Sequence, residues 1–299
     1  MYYRRKLMLG LLEAFDGELN VTTLQKLLFL VTRQQRKPTF DFVPYKYGCF
    51  SFQANQDLST MKKYELVTST EQGRKTVWSL LDAGRGFFDV LKAPDQTAIH
   101  RIKAKTIDWD QRNLIRFTYD QFPYYATKSH IYKEILNEHQ IARVESKVVD
   151  EAEQAFFTIG YEGISLETYL NKLILNDVRL LCDVRKNSFS MKFGFSKSQL
   201  KRACEGVGIH FLHLPDLGIE SDKRKKLDTL SDYQELFTIY EATTLKQNEK
   251  SLLYLRELIT EYHRVAITCF EKEVCMCHRG SVLKALVSRP DWNIPHVNL

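Results

Sequence analysis

The densest run of reactive side chains is Cys269-Phe270-Glu271-Lys272-Glu273-Val274-Cys275-Met276-Cys277-His278-Arg279. Three chemistries suit these residue types. In a recognition site, His278 and Arg279 hold an anion while Glu271 acts as a base or accepts a ligand N–H. In a nucleophilic site, Cys277 attacks, its pKa lowered by Arg279 and by a helix expected to begin just after it. In a metal site, Cys269, Cys275, Cys277 and His278 supply the ligands. Their spacing is not the paired Cys-x-x-Cys of zinc ribbons, and joint ligation by the adjacent Cys277 and His278 is strained, so no metal or cofactor is expected. For Cys182, Cys204 and Cys269 the competing reading is a small core filler.

A second concentration is Asp183-Val184-Arg185-Lys186-Asn187-Ser188, running on to Phe195. Asp183 and Arg185 alternate along an extended chain and so point the same way. An arginine fork suits phosphate or carboxylate. Lys186, Lys192 and Lys197 interleave with Phe189, Phe193 and Phe195, a combination that suits a ligand with both a charged backbone and a base. The competing reading is an internal Asp–Arg pair above packed aromatics. Gly160-Tyr161-Glu162-Gly163 is a third candidate, a tight turn whose glycines let a ligand approach backbone N–H groups at a helix start. The run Lys223-Arg224-Lys225-Lys226 reads as a solvated loop.

These residues follow apolar runs at 155–159, 178–183, 210–214 and 265–270, each expected to be a strand. Helical patterns fall between and after them, at 166–175, 197–206, 232–243, 249–263 and 281–288. Two look like capping boxes, Ser196 with Gln199 and Ser231 with Gln234. Near-continuous apolar strands alternating with helices predict an α/β domain with a Rossmann-like parallel sheet covered by helices. Ligands in such sheets sit outside the carboxyl ends of the strands, where all three candidate loops lie.

The preceding half reads as mainly helical. Residues 3–15 carry Leu7, Leu11, Leu12 and Phe15 at helical spacing, and Gly17 ends the pattern. Thr22 or Thr23 can cap a second helix to about residue 35, with Leu24, Leu27, Leu28 and Val31 on one face. Phe40, Phe42, Tyr45 and Tyr47 alternate as in an extended segment. Ser51 opens a polar helix to about residue 64, and 66–70 and 75–80 flank a glycine-containing turn, a hairpin signal. Helix, helix, polar helix and basic-tipped hairpin is the order of a winged helix-turn-helix. Further helices are expected at 82–91, 97–105, 109–119 and 128–138. The charged segment 145–154 separates the two rhythms, giving domains 1–150 and 151–299.

Charge follows the same division. Residues 1–150 hold 23 Lys and Arg against 17 Asp and Glu, whereas residues 151–299 hold 20 of each. The whole formal excess of +6 therefore sits in the first half, where Lys62, Lys63, Arg74 and Lys75 are the expected contacts to a DNA backbone. A hydrophobic fraction of 44% excludes a disordered chain, and no apolar run reaches the ~20 residues of a membrane span. Glu13 and Asp16 stand where a signal peptide would be cleaved. With no export signal, the six cysteines are expected to be reduced thiols in a cytoplasm.

Three ordered motifs make the second half resemble domain-of-unknown-function family 488 over about residues 156–299. They are Thr158-Ile159-Gly160-Tyr161, Asp183-Val184-Arg185, and Cys269-Phe270-Glu271 with Cys277-His278-Arg279. That resemblance implies an α/β fold with a polar pocket. In the first half, Leu24-Gln25-Lys26-Leu27-Leu28-Phe29 and Pro44-Tyr45-Lys46-Tyr47-Gly48 look like the pattern of Panacea-type, SocA-like antitoxin domains. This implies a helical module of toxin–antitoxin or defence loci.

The expected function is a DNA-binding protein whose α/β domain acts on or senses a nucleotide or modified base, in DNA repair or anti-phage defence. If it is an enzyme, a DNA glycosylase- or hydrolase-like reaction suits the residues, with Glu271 and Asp183 in acid/base roles and Gly160, Tyr161, Arg185, Lys186, His278 and Arg279 binding the ligand. Cys277 as the catalytic group belongs to a further reading, cysteine-based sulfur or phosphoryl transfer. The alternative is a non-catalytic transcriptional regulator or antitoxin-like protein that binds a partner protein.

Overall fold

Helix and strand signals separate by half of the chain, and so does the structure. In the computed structural model, Met1–Val148 and Val149–Leu299 form two compact units. All residues are described except Arg74, Ser221, 223–226 and Asp228. Arg74 and the basic run 223–226, both singled out above, thus lie outside the described residues.

The first unit begins with α1 (Tyr3–Ala14), which buries Leu7 through Leu12. After β1 (Glu18–Asn20) comes α2 (Val21–Thr32). Its cap is Asn20, not the expected Thr22 or Thr23: the Asn20 Oδ1 accepts from the Thr23 N–H at 2.9 Å. Every residue from Leu24 to Thr32 is buried. The expected one-sided apolar face is therefore a helix enclosed all round. A small hairpin, β2 (Val43–Tyr45) and β3 (Gly48–Phe50), precedes α3 (Phe52–Lys63). Ser51 caps α3 as expected, its Oγ accepting from the Ala54 N–H at 3.2 Å. β4 (Val67–Gln72) and β5 (Lys75–Leu80) pair antiparallel, with Gln72 opposite Lys75. β1 adds to β5, so the sheet order is β1–β5–β4.

Two expected helices of this unit are corrected. Residues 82–91 hold only one turn of 3-10 helix, Asp82–Gly84. There Gly84 comes so close that a Cβ would lie 2.2 Å from the Leu66 carbonyl oxygen, and Gly86 at φ +77° turns the chain away. α4 (Ala93–Thr106) and α5 (Gln111–Gln121) follow. The expected helix at 128–138 is divided into α6 (Tyr132–Ile135) and α7 (Glu138–Glu145). Leu136 is extended between them, and Asn137 with Gln140 forms a capping box that starts α7 afresh.

In the second unit strands and helices alternate: β6 (Ala155–Gly160), α8 (Leu166–Leu175), β7 (Leu180–Asp183), α9 (Lys197–Gly206), β8 (His210–His213), α10 (Leu230–Tyr240), α11 (Glu249–Tyr262), β9 (Arg264–Cys269), α12 (Arg279–Val287) and β10 (His296–Asn298). The five strands are all parallel in the order β10–β6–β9–β7–β8, and the Rossmann-like α/β expectation holds. Central β9 and β6 are buried at every position. β10 was not expected; its three residues are exposed and carry no apolar run. The two expected capping boxes are also corrected. Ser196 makes no side-chain cap, because its Oγ is engaged with the Ser190 backbone and the Gln199 Oε1 accepts from the Gly194 N–H. α10 is capped two residues earlier, by Thr229 with Asp232.

Candidate functional site

At the carboxyl ends of β6, β7 and β9 the sequence motifs meet, in two adjoining clusters. The first contains Asp183, the last residue of β7, and Arg185. Being two apart on an extended chain, their side chains do point the same way, and they meet each other. Arg185 donates from Nε to the Asp183 Oδ1 at 2.8 Å and from Nη2 to Oδ2 at 2.6 Å. Its Nη1 donates to the Tyr161 hydroxyl at 2.6 Å, and Nη2 also to the Phe195 carbonyl at 2.9 Å. Arg185 is only 4% exposed and Asp183 fully buried. The guanidinium that was expected to grip a phosphate has each of its nitrogens engaged inside the protein. Tyr161 is buried too, stacked on Phe195 at a centroid distance of 4.2 Å.

Lys186 points outward and is exposed. So is Phe189, at 73%, whereas Phe195 is buried. Lys192 donates to the Tyr161 carbonyl at 2.6 Å, and burial lowers its pKa. The interleaved basic and aromatic residues thus divide: Lys186, Phe189 and Lys197 face solvent, while Lys192 and Phe195 build the loop's interior.

The second cluster lies after β9. Cys269, Cys277 and His278 are buried, with ligating atoms all within 4.8 Å of one another. The Cys269 thiol donates to the Glu271 Oε2 at 3.3 Å and lies 3.6 Å from the His278 Nδ1. The His278 Nε2 is 2.9 Å from the Val184 carbonyl, which ties this cluster to the end of β7. Arg279, 1% exposed, donates to the carbonyls of Glu271 and Lys272. It clamps the loop by its backbone and does not face solvent as an anion ligand would. Cys277 also differs from the expected nucleophile. Burial, with Cys269 and Glu271 adding to it, pushes its thiol pKa well above the ordinary value, and nearby Arg279 only partly opposes this. Glu271 is half-buried and Cys275 exposed.

Gly160 links the clusters. A Cβ on it would lie 1.9 Å from the Glu271 carbonyl oxygen, so only glycine lets the loop after β9 cross the end of β6. Of the residues named from the sequence in this unit, Cys275 and Cys277 line a cleft of about 260 Å³, with Phe237, Glu241 and Lys284 among its other walls. Asp183, Arg185 and Lys186 do not line it.

In the first unit Lys62, Lys63 and Lys75 are exposed as expected. Lys62 donates to the Ser69 hydroxyl at 2.7 Å and Lys75 to the Gln111 side chain at 3.0 Å. Two features escaped the sequence reading. Asp57, fully buried on α3, accepts from both Arg4 and Arg5 of α1 at 2.5 and 2.7 Å. Its signal was spacing, since Asp57 shares the buried face of Ala54, Leu58 and Met61. Lys26 is 1% exposed, and its ammonium donates to the Tyr47 and Cys49 carbonyls. Burial lowers its pKa. It lines a cavity of about 130 Å³ with Gln25, Tyr45, Tyr47, Gly48 and Cys49.

A family model described as "Domain of unknown function DUF488" matches residues 165–286. The match covers the Asp183-Val184-Arg185 loop and the run from Cys269 to Arg279, and is narrower than the stretch 156–299 on which the resemblance was read. No curated protein matches the chain. No helix among the described residues is long and apolar enough to cross a membrane.

Proposed function

We propose that the chain is a DNA-binding regulator that docks on duplex DNA through Met1–Val148 and senses a nucleotide or modified base with its α/β unit. One observation carries the reading: the way α3 divides its residues. Ala54, Asp57, Leu58 and Met61 face the core, while Asn55, Gln56, Ser59, Lys62 and Lys63 form one continuous exposed polar face. Side-chain amides of this kind suit adenine edges in the major groove, and terminal lysines suit phosphates. The order α1, β1, α2, β2, β3, α3, β4, β5, with β1 paired to β5, supports a winged helix with the small hairpin β2–β3 inserted between α2 and α3, in which α3 would be the reading helix and the β4–β5 hairpin the wing. The basic excess of the first 150 residues supports the same reading.

For the α/β unit, sensing is favoured over hydrolysis. A general base must reach the proton it removes, and Asp183 is enclosed and paired with Arg185. Exposed Phe189, three residues after the exposed Lys186, offers a stacking surface for a base beside positive charge.

Anisotropy titrations of the full chain with duplex oligonucleotides over a series of salt concentrations test the proposal. Three lysine–phosphate contacts would give a slope of log K against log salt of about −2.7. No binding at low salt, or binding indifferent to salt, overturns it in favour of the antitoxin-like reading with a protein partner.

A further inference from the structure

The cluster behind β9 meets the demands of a metal centre although its sequence spacing does not resemble one. We propose that Cys269, Cys277 and His278, whose ligating atoms already lie together, bind one zinc ion in a closed structural site, with the Glu271 carboxylate, 3.3 Å from the Cys269 Sγ but outside that group of three, turning in as the fourth ligand. The argument rests on edge lengths. With Zn–S near 2.3 Å and Zn–N or Zn–O near 2.0–2.2 Å, a tetrahedral site has S···N and S···O edges of about 3.5 Å. The Cys269 Sγ lies 3.6 Å from the His278 Nδ1 and 3.3 Å from the Glu271 Oε2. All pairs among Cys269, Cys277 and His278 fall within 4.8 Å, which admits the S···S edge of about 3.8 Å after small shifts.

The imidazole is oriented for the same purpose. A carbonyl can only accept, so the Val184 oxygen at 2.9 Å fixes the hydrogen on the His278 Nε2. That leaves the Nδ1 lone pair aimed at the thiols, the outer-shell arrangement that orients metal-bound histidines. Cys269, meanwhile, has one S–H facing two acceptors, the Glu271 carboxylate and the His278 Nδ1. Two thiolates and one carboxylate would more than offset the charge of a divalent cation held among them. Adjacent Cys277 and His278 can ligate together because the backbone changes course between them. Cys277 is extended at the end of the turn Val274–Met276, and His278 is the residue that precedes α12. Arg279 holds the Glu271 and Lys272 carbonyls, fixing the loop that supplies the carboxylate. The cleft walled by Cys275 and Cys277 is an entry path.

Metal content decides the matter. The reduced full chain, incubated with zinc sulfate and desalted, should retain about one zinc per chain by atomic emission. Loaded with cobalt(II), it should show the strong visible bands of a tetrahedral site and a thiolate charge-transfer band. Cys277→Ser should lower that band to about half and weaken zinc retention at least ~10-fold. Wild-type chain that is folded by circular dichroism yet keeps less than a tenth of an equivalent of zinc overturns the proposal. So does a cobalt spectrum without thiolate charge transfer. If Cys277→Ser does not fold, the wild-type melting temperature serves instead: it should rise with zinc and fall back with a chelator, and no difference between the two overturns the site.

Discussion

Arg185 closes a two-point ion pair with Asp183, two residues before it, and both side chains are buried at the end of β7. Breaking such a pair from one side leaves a charge in the interior without its partner. Asp183→Asn should therefore lower the stability of the α/β unit by about 3–5 kcal/mol, measured by urea unfolding. Adding Arg185→Met removes the stranded charge, and the double variant should recover part of the loss. Asp183→Asn unfolding at the wild-type denaturant midpoint would contradict this arrangement.

Gly160 meets backbone and not a flexible side chain, so no rotamer change can relieve a substitution. Gly160→Ala places a methyl group 1.9 Å from the Glu271 carbonyl oxygen. A loss of about 1–3 kcal/mol is expected, at the upper end because the obstacle is rigid. Glu257→Ala, on the exposed face of α11, serves as the control and should lose less than ~1 kcal/mol. Equal melting curves for Gly160→Ala and wild type would contradict the close approach.

On the DNA side, charge and amide contacts should separate. Lys62→Ala, Lys63→Ala and Lys75→Ala should each weaken binding to any duplex and flatten the salt slope by about 0.9. Asn55→Ala and Gln56→Ala should leave the slope alone and relax discrimination between sequences, by about 1–3 kcal/mol for a good base contact. If the lysine and amide variants behave alike, α3 is not the reading helix.

Alkaline pH gives a test in the first unit. Burial, and next the hydrogen bond to Asp95, raise the Tyr3 pKa from 10.0 to about 12. The folded state favours the protonated phenol, so its contribution is complete below about pH 10 and is lost as pH climbs towards 12. Wild type should thus lose stability over that window faster than Tyr3→Phe, and their denaturant midpoints should converge. Midpoints that stay a constant distance apart from pH 9 to 12 would exclude the effect.

Much of the architecture was legible because burial on both faces writes itself into a strand. β6 and β9 are short unbroken apolar runs, and the parallel sheet followed from them. β10 was not legible for the converse reason: its pairing to β6 is made by backbone, with exposed His296, Val297 and Asn298. Asn20 and Thr23 show a similar limit. Both types cap helices, and only the observed hydrogen bond says which residue stands outside the first turn. In the site, the motif residues were found, but their roles depended on what each faces. Arg185 and Arg279 read as anion ligands because arginine usually serves so; here they bind Asp183 and two carbonyls. The proximity of Cys269 to Cys277 and His278 depends on a turn whose path no periodicity encodes.

The position of β9 sets the order in which the second sheet can be completed. β9 pairs with β6 on one side and β7 on the other, and these two are not paired to each other. The β7–β8 pair can form early, but β6, with Phe156, Phe157 and Ile159 in its core, has no neighbour until β9 or the still later β10 arrives. On a ribosome adding ~5–20 residues per second, the interval between β6 and β9 is on the order of ten seconds. Throughout it, an apolar strand with both edges bare is open to wrong partners, so the nascent chain has a window of aggregation risk that the finished sheet conceals.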